Sequence, residues 1–463
     1  MNHLSKMILA FALVACTVLT TSCAGGDENA EVKKTPSPAS TNGEKTNPSS
    51  MTPGAEPTPG GSTMNPAISE IPSDAEKWIN ACENAESVLM SYEQIQKMNA
   101  EIRSRCAALT DIESYPTYMS KSALTSLIEN SSGPSIPKYD ENGKEITLSD
   151  WNDIRDNRNL GALEDTNSFT KGVTVQRTDI RALPTAREFY DKASIQDHDR
   201  MQESELAAGS AVWILHTSKD GKFYFIQSYY YAGWVDAENV ANAEENSDWN
   251  AYAKLLNMTE NASREMKFAV VTDSLITVEG VKLDMGTALL LADEQSGGDT
   301  YNIILPGKDA EGKLSRIEAE ISVKSASVGY LDYTFRNFYV QAFKYAGTPY
   351  GWGGMKDHVD CSSYALSVFK TFGFIFPRNT SQQNKAVGNI TNVEGKADSV
   401  KLSTLENAKV PVLIYKSGHV MIYLGQIENV HYIIHAPGGG NVREDAYDGF
   451  SSLIRICEVG PLK

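Results

Sequence analysis

The sequence predicts an α+β chain: a mainly helical opening segment, two small β-barrels, and a C-terminal domain of helices set against a sheet. Three observations carry this. Apolar residues recur at three- and four-residue steps from Trp78 to Ile102. Between residues 171 and 325 the pattern changes to short alternating runs separated by polar turns. From residue 330 onward, helical and strand patterns alternate around Asp360-Cys361-Ser362-Ser363.

At 463 residues the chain is long enough for several domains with cores of their own. A formal charge of −17 argues against a nucleic-acid backbone as partner. Residues 1–22 read as an export signal, with Lys6 ahead of an apolar run from Met7 to Leu19 that is too short to span a bilayer. Thr20-Thr21-Ser22-Cys23 reads as a lipoprotein cleavage site with Cys23 acylated. Leu13-Val14-Ala15-Cys16 is the better local match, but it leaves a very short signal and a hydrophobic mature start, so Cys23 is preferred. The expected location is therefore a membrane-anchored lipoprotein facing the periplasm or cell envelope. Residues 23–68, rich in Pro, Ser, Thr and Gly, read as a disordered tether. Of six cysteines, Cys82, Cys106, Cys361 and Cys457 lie beyond the signal region, too few for a disulfide framework. A Cys82–Cys106 pair between two helices stays open.

Residues 69–170 form the stabilising segment. Trp78, Ala81, Ala85, Val88, Leu89, Ile95, Met98 and Ile102 line an amphipathic helical pattern, and a second helix is expected over 119–129. The stretch 131–170 reads as an irregular cover anchored by Trp151, Ile154 and Leu160. Residues 171–250 form the first barrel, through Val173–Val175, Ala211–Leu215, Lys222–Gln227 and Ala232–Val235; residues 264–328 form the second. Tyr229, Tyr230 and Tyr231 cannot all face inward on a strand, so at least one is expected to be exposed. Tyr230 and Tyr231 are candidates for a rim that walls a neighbouring cleft. Residues 330–346 read as a helix with Phe335, Phe338 and Phe343 inward, entering a domain that runs 330–463.

In that domain the stretch Gly347-Thr348-Pro349-Tyr350-Gly351-Trp352-Gly353-Gly354 suits a sharply turning loop with aromatic walls. Asp360 fits an N-cap, which puts Cys361 in the first helical turn, where unpaired amides favour a thiolate. Residues 410–415, 419–424 and 430–436 read as strands. A hairpin turning at residue 427 sets His419 directly opposite His435, while His431 faces Tyr423 about 13 Å along. A cysteine, a histidine base and an orienting group make a nucleophilic site.

GTPYGWGG (347–354), DCSS (360–363), PRNTSQQ (377–383), HVMIYLG (419–425) and IHA (434–436) together resemble the NlpC/P60 family of papain-like cell-wall cysteine peptidases. Gly-Trp-Val at 233–235 resembles the bacterial SH3 barrel. The resemblance implies Cys361 as nucleophile, His419 as base and His435 as orienting third member. It implies cleavage of the γ-D-glutamyl to diamino-acid bond of a peptidoglycan stem peptide or muropeptide, with no cofactor or metal. It also implies a cleft closed at one end that accepts a free L-Ala amine. Asp360 is the carboxylate expected to bind that ammonium, helped by Ser362 or Tyr350, with Trp352 in the cleft-shaping loop. The fourth residue of DCSS, Ser363, stands where the family usually has glycine. The chain is expected to act as a monomer. A zinc hydrolase using Cys361, His419 and His435, a wall-binding scaffold without turnover, and an amidase or acyltransferase of related fold remain as alternatives.

Overall fold

The computed structural model describes residues 75–463 except 132, 195–197, 244–247, 258–266 and 293–297. The export signal, Cys16, Cys23 and the tether lie outside the described residues. The opening segment is two helices, Ala75–Ala81 and Tyr92–Arg105, not one continuous pattern. Ser91 starts the second: its hydroxyl accepts from Gln94 N (3.3 Å) and Gln94 Oε1 accepts from Ser91 N (2.8 Å). This reciprocal cap breaks the periodicity and leaves Val88 57% exposed. A helix at Lys121–Asn130 matches expectation. The expected irregular cover instead contains a helix, Leu148–Asp156, capped reciprocally by Thr147 and Asp150. Cys82 and Cys106 are both free thiols.

The first barrel is a seven-stranded antiparallel sheet. Its order is Gln202–Leu206, Thr178–Arg181, Ala232–Asp236, Phe223–Gln227, Ala211–Thr217, Thr170–Thr174, Val240–Asn242. Gly233 of the Gly-Trp pair permits a close strand approach, since a Cβ there would lie 2.4 Å from Ile180 Cγ2. Its neighbour Trp234 is fully buried in the core. The second barrel pairs Leu314–Ser322, Thr300–Lys308, Ala288–Leu291, Phe268–Val271 and Ala326–Val328, with a separate hairpin of Leu275–Val278 and Val281–Asp284.

Tyr229, Tyr230 and Tyr231 depart from the strand argument. The strand ends at Gln227, so the three rings sit in a turn where side chains need not alternate. Tyr229 and Tyr230 are buried and Tyr231 is half-buried; none is exposed.

The C-terminal domain sets helices Phe335–Phe343 and Cys361–Lys370 against a six-stranded antiparallel sheet. Its order is Asn389–Asn392, Arg455–Glu458, Val412–Lys416, His419–Ile427, Val430–His435, Arg443–Ala446. Tyr364, Val368 and Phe369 join Leu413, Val420 and Ile422 in one core with Trp78, Met98 and Ile102 of the opening helices. The opening segment therefore packs on the C-terminal domain.

Arg177 of the first barrel joins three parts of the chain. It pairs with Asp284 of the second barrel (3.0 Å) and Asp357 of the glycine loop (3.5 Å), and donates to His358 O (3.4 Å). Its side chain is only 5% exposed. Removing one partner of a buried pair strands the other, so Arg177→Ala is expected to lower unfolding stability by about 3 kcal/mol in urea denaturation. A loss below about 0.5 kcal/mol would show that this junction behaves as a surface pair.

Candidate active site

The glycine loop exists to approach the first barrel. Gly353 and Gly354 have φ of 58° and 84°, and a Cβ on Gly354 would lie 2.3 Å from Glu205 Oε2. Gln202 Nε2 donates to Gly353 O (3.0 Å), and Trp352 Nε1 donates to Gln202 O (3.1 Å). Trp352 thus fastens the loop to the Gln202–Leu206 strand. The amide of half-buried Tyr350 donates to Gly440 O (2.8 Å), and that of Gly347 to Val442 O (2.8 Å).

Asp360 is the N-cap of the Cys361–Lys370 helix. Its Oδ1 accepts from Ser362 N (3.0 Å), Ser362 Oγ (3.0 Å), Ser363 N (2.9 Å) and Arg378 Nη1 (3.1 Å). Its Oδ2 accepts from Gly353 N (3.1 Å) and Arg378 Nη2 (2.7 Å). A carboxylate offers about four lone-pair directions, so these donors saturate it. Asp360 and Ser362, expected as ligands of a substrate ammonium, are both buried and hydrogen-bonded within this clamp. Burial works against the Asp360 charge, yet Arg378 and the helix amides hold its pKa below the ordinary value. Ser363, in the place of the family's glycine, closes the cap by donating no further than its own turn while its Oγ accepts from Asp360 N (3.0 Å).

Cys361 is buried beside the sheet. Its sulfur lies 3.6 Å from Thr380 Oγ1 and takes a hydrogen bond from the Val420 amide, next in chain to His419. Burial, then the Asp360 charge, pushes the thiol up to about 11, outweighing Val420 and Thr380. Asp360 also takes the first-turn amides of Ser362 and Ser363, which the sequence reading expects to favour a thiolate.

His419 begins its strand after a tight turn at Ser417-Gly418, with Lys416 paired to it. The expected direct opposition of His419 and His435 is also corrected. The hairpin turns at Glu428-Asn429, both at positive φ (50° and 64°), and the register shifts between Tyr423 and Gly425. Ile422 pairs with Ile434, so the position opposite His435 is Met421 and the two histidines meet on the diagonal. His419 Nε2 and His435 Nδ1 still lie 2.7 Å apart, with ring centroids at 5.0 Å. Burial, and then His435, depress the His419 imidazolium to about 3. Both shifts favour the uncharged forms, thiol and neutral imidazole. His431 does bond Tyr423, its Nδ1 lying 2.7 Å from the hydroxyl.

The first barrel reaches the segment that follows the Cys361 helix. Tyr231 donates to Glu203 and is hydrogen-bonded by the Asn379 side chain, while Tyr230 donates to Glu205 O. Arg378 Nε donates to Ser204 Oγ (2.8 Å) and its Nη2 to Glu205 Oε2 (3.0 Å). Desolvation raises the pKa of both Glu203 and Glu205, although Tyr231 and Arg378 respectively oppose it. Sequence reasoning missed Glu203, Glu205 and Asp445, and gave Arg378 and Thr380 of the PRNTSQQ segment no individual role. The polar run Gln-Glu-Ser-Glu hides the strand that holds the first two; its only signal is the alternation of buried Gln202, Ser204 and Leu206. For zinc, the donors fit poorly: His419 Nε2 and His435 Nδ1 are turned to each other at 2.7 Å, and no group of three or more His, Cys, Asp or Glu able to hold a metal occurs among the described residues.

A cysteine at a helix start, against a sheet carrying two linked histidines, defines a hydrolase of the cysteine-nucleophile class. Residues 347–453 match the NlpC/P60 family, and residues 188–236 match the SH3 domain of SH3b1 type. The C-terminal domain thus matches the NlpC/P60 family, and a match to an SH3b domain stands ahead of it. It is 29% identical over 149 residues to dipeptidyl-peptidase 6 of Lysinibacillus sphaericus, covering 32% of this chain and 49% of that protein. It is 31% identical over 120 residues to the gamma-D-glutamyl-L-lysine dipeptidyl-peptidase of Bacillus subtilis (strain 168), covering 24% and 38%. The chain thus spans about half or less of the curated relatives it matches. A solved NlpC/P60 endopeptidase from Photobacterium damselae subsp. piscicida shares the fold with a TM-score of 0.64 at 20% identity, covering 83% of this chain and 90% of that one.

With the thiol near 11, the rate of Cys361 alkylation by iodoacetamide is expected to rise about tenfold per pH unit through neutral pH and to level off only near about 11. A plateau already reached by pH 7 would instead reveal a preformed thiolate–imidazolium pair.

Proposed function

We propose that this protein is a cysteine endopeptidase that hydrolyses the γ-D-glutamyl to L-diamino acid bond of peptidoglycan stem peptides, favouring fragments with a free N-terminal L-Ala. The observation that carries the reading is the His419–His435 contact of 2.7 Å on a sheet packed against the Cys361 helix. In this reading the thiol proton passes to His419 as sulfur attacks the amide carbonyl, and the Cys361 amide, first in its helix, offers a hydrogen bond to the oxyanion. The C–N bond breaks as His419 returns the proton to the leaving amine of the diamino acid. Water then attacks the thioester, gives a proton to His419 and leaves the glutamyl γ-carboxylate, and the thiol is restored.

Recognition of the L-Ala ammonium passes from Asp360 to Glu203 and Glu205, the half-buried carboxylates that the first barrel sets beside the glycine loop. An ammonium would relieve their desolvation, whereas an amide-linked stem, as in intact wall, would leave them uncompensated. This favours released muropeptides as substrates. Export, acylation of Cys23, attachment to a membrane and action as a monomer belong to the same proposal. Among the described residues no helix is long and apolar enough to cross a membrane.

Mass spectrometry of an L-Ala-γ-D-Glu-diamino acid peptide is expected to find L-Ala-D-Glu released by the native protein and none by Cys361→Ala. N-acetylation of the L-Ala should cut kcat/KM by about tenfold or more, the loss expected when a desolvated charge goes unpaired. Equal cleavage of both peptides would remove the amine requirement; cleavage by Cys361→Ala would remove the mechanism.

A further inference from the structure

The histidine pair continues into a third residue. His435 Nε2 lies 2.9 Å from Asp445 Oδ2, and Arg443 Nε donates to Asp445 Oδ1 and Oδ2 at 3.0 and 2.9 Å. We propose that Asp445 is a positioning residue that fixes the tautomers of His435 and His419 in series. The proposal rests on the peptidase reading for the identity of the proton that His419 removes.

The argument is one of donor and acceptor roles. An ionised carboxylate only accepts, so the proton between His435 and Asp445 sits on His435 Nε2. A neutral His435 then has a bare Nδ1. That nitrogen must accept from its neighbour, which puts a proton on His419 Nε2. His419 is left with a bare Nδ1, the nitrogen able to take a proton. Asp445 stays ionised in its place: burial opposes the charge, but His435 and Arg443 hold its pKa below the ordinary value. Without the carboxylate, nothing in the pair selects between the two arrangements of protons.

The strand that carries Asp445 is fastened from its other face. Arg443–Ala446 lies at the edge of the six-stranded sheet and pairs with Val430–His435, Arg443 opposite His435. Glu444 points the opposite way from Asp445 and is fully buried. Lys77 Nζ meets its Oε1 at 2.7 Å, and Trp78 Nε1 meets its Oε2 at 3.4 Å. The first described helix therefore holds in register the strand that orients the histidines.

Asp445→Asn separates this role from mere packing. Arg443 keeps the amide oxygen, so the amide nitrogen turns to His435 and donates to Nε2. Every proton in the series then reverses, and His419 presents an N–H at Nδ1 where a base is needed. Asp445→Ala removes the bias without imposing the wrong one.

The test uses the full chain with 15N-histidine and long-range 1H–15N correlation, together with peptide turnover and iodoacetamide alkylation. In the native protein both histidines should carry the proton on Nε2; a proton on His435 Nδ1 would overturn the proposal. Asp445→Asn should lower kcat by about a thousandfold or more at unchanged KM, and Asp445→Ala by about 10- to 100-fold. Losses in the opposite order, or an Asn variant within about twofold of native, would also overturn it. If Asp445→Asn fails to fold, the native tautomers decide alone. If the native protein leaves the peptide whole but shows both Nε2 protons, the relay stands and the proposed substrate falls.

Discussion

Asp360 and Arg378 hold the site together. Asp360 caps the Cys361 helix, receives the glycine-loop amide of Gly353 and pairs with Arg378, which also reaches Ser204 and Glu205 of the first barrel. One buried ion pair thus fixes the helix start, the loop and the neighbouring domain relative to one another. Such pairs contribute little net stability, since desolvation offsets much of the attraction. Their use here is geometric: each partner has its donors or acceptors filled in one arrangement only, and that arrangement sets where the Cys361 sulfur lies.

The clamp also changes the chemistry of the cysteine. A capping carboxylate that consumes first-turn amides removes the local positive potential that lowers a thiol pKa, and adds a negative charge beside the sulfur. In the proposed mechanism the sulfur depends on the histidine chain for activation, so the orientation of that chain becomes critical. His419, His435 and Asp445 come from three strands, the last at a sheet edge held by Glu444 against Lys77 and Trp78. The opening helices and the first barrel are parts of the site's support.

Much of this was legible in the sequence where the signal is local. Asp360 and Cys361 at a helix start, the glycine loop and the strand beginning at His419 follow from caps, turns and alternation. Local caps at Ser91 and Thr147 carried equal information and mark helices that periodicity alone blurred or missed. The His419–His435 pairing was legible as a shared face but not as a register, because a bulge near Leu424 and a two-residue turn at Glu428-Asn429 move the partner by two positions.

The sequence by itself determined the class of fold and the place of Cys361 at a helix start, since a helix start and an amphipathic strand depend on residues a few places apart. Only the tertiary structure decided what surrounds the sulfur. Asp360 meets Arg378, Glu205 meets Gly354 and Asp445 meets His435 through contacts between separate elements, and one of the three crosses from one domain to another. No periodicity encodes such contacts: a carboxylate on an exposed face and one in a buried clamp have the same local pattern. What distinguishes them is which charged partner the fold brings within hydrogen-bond reach.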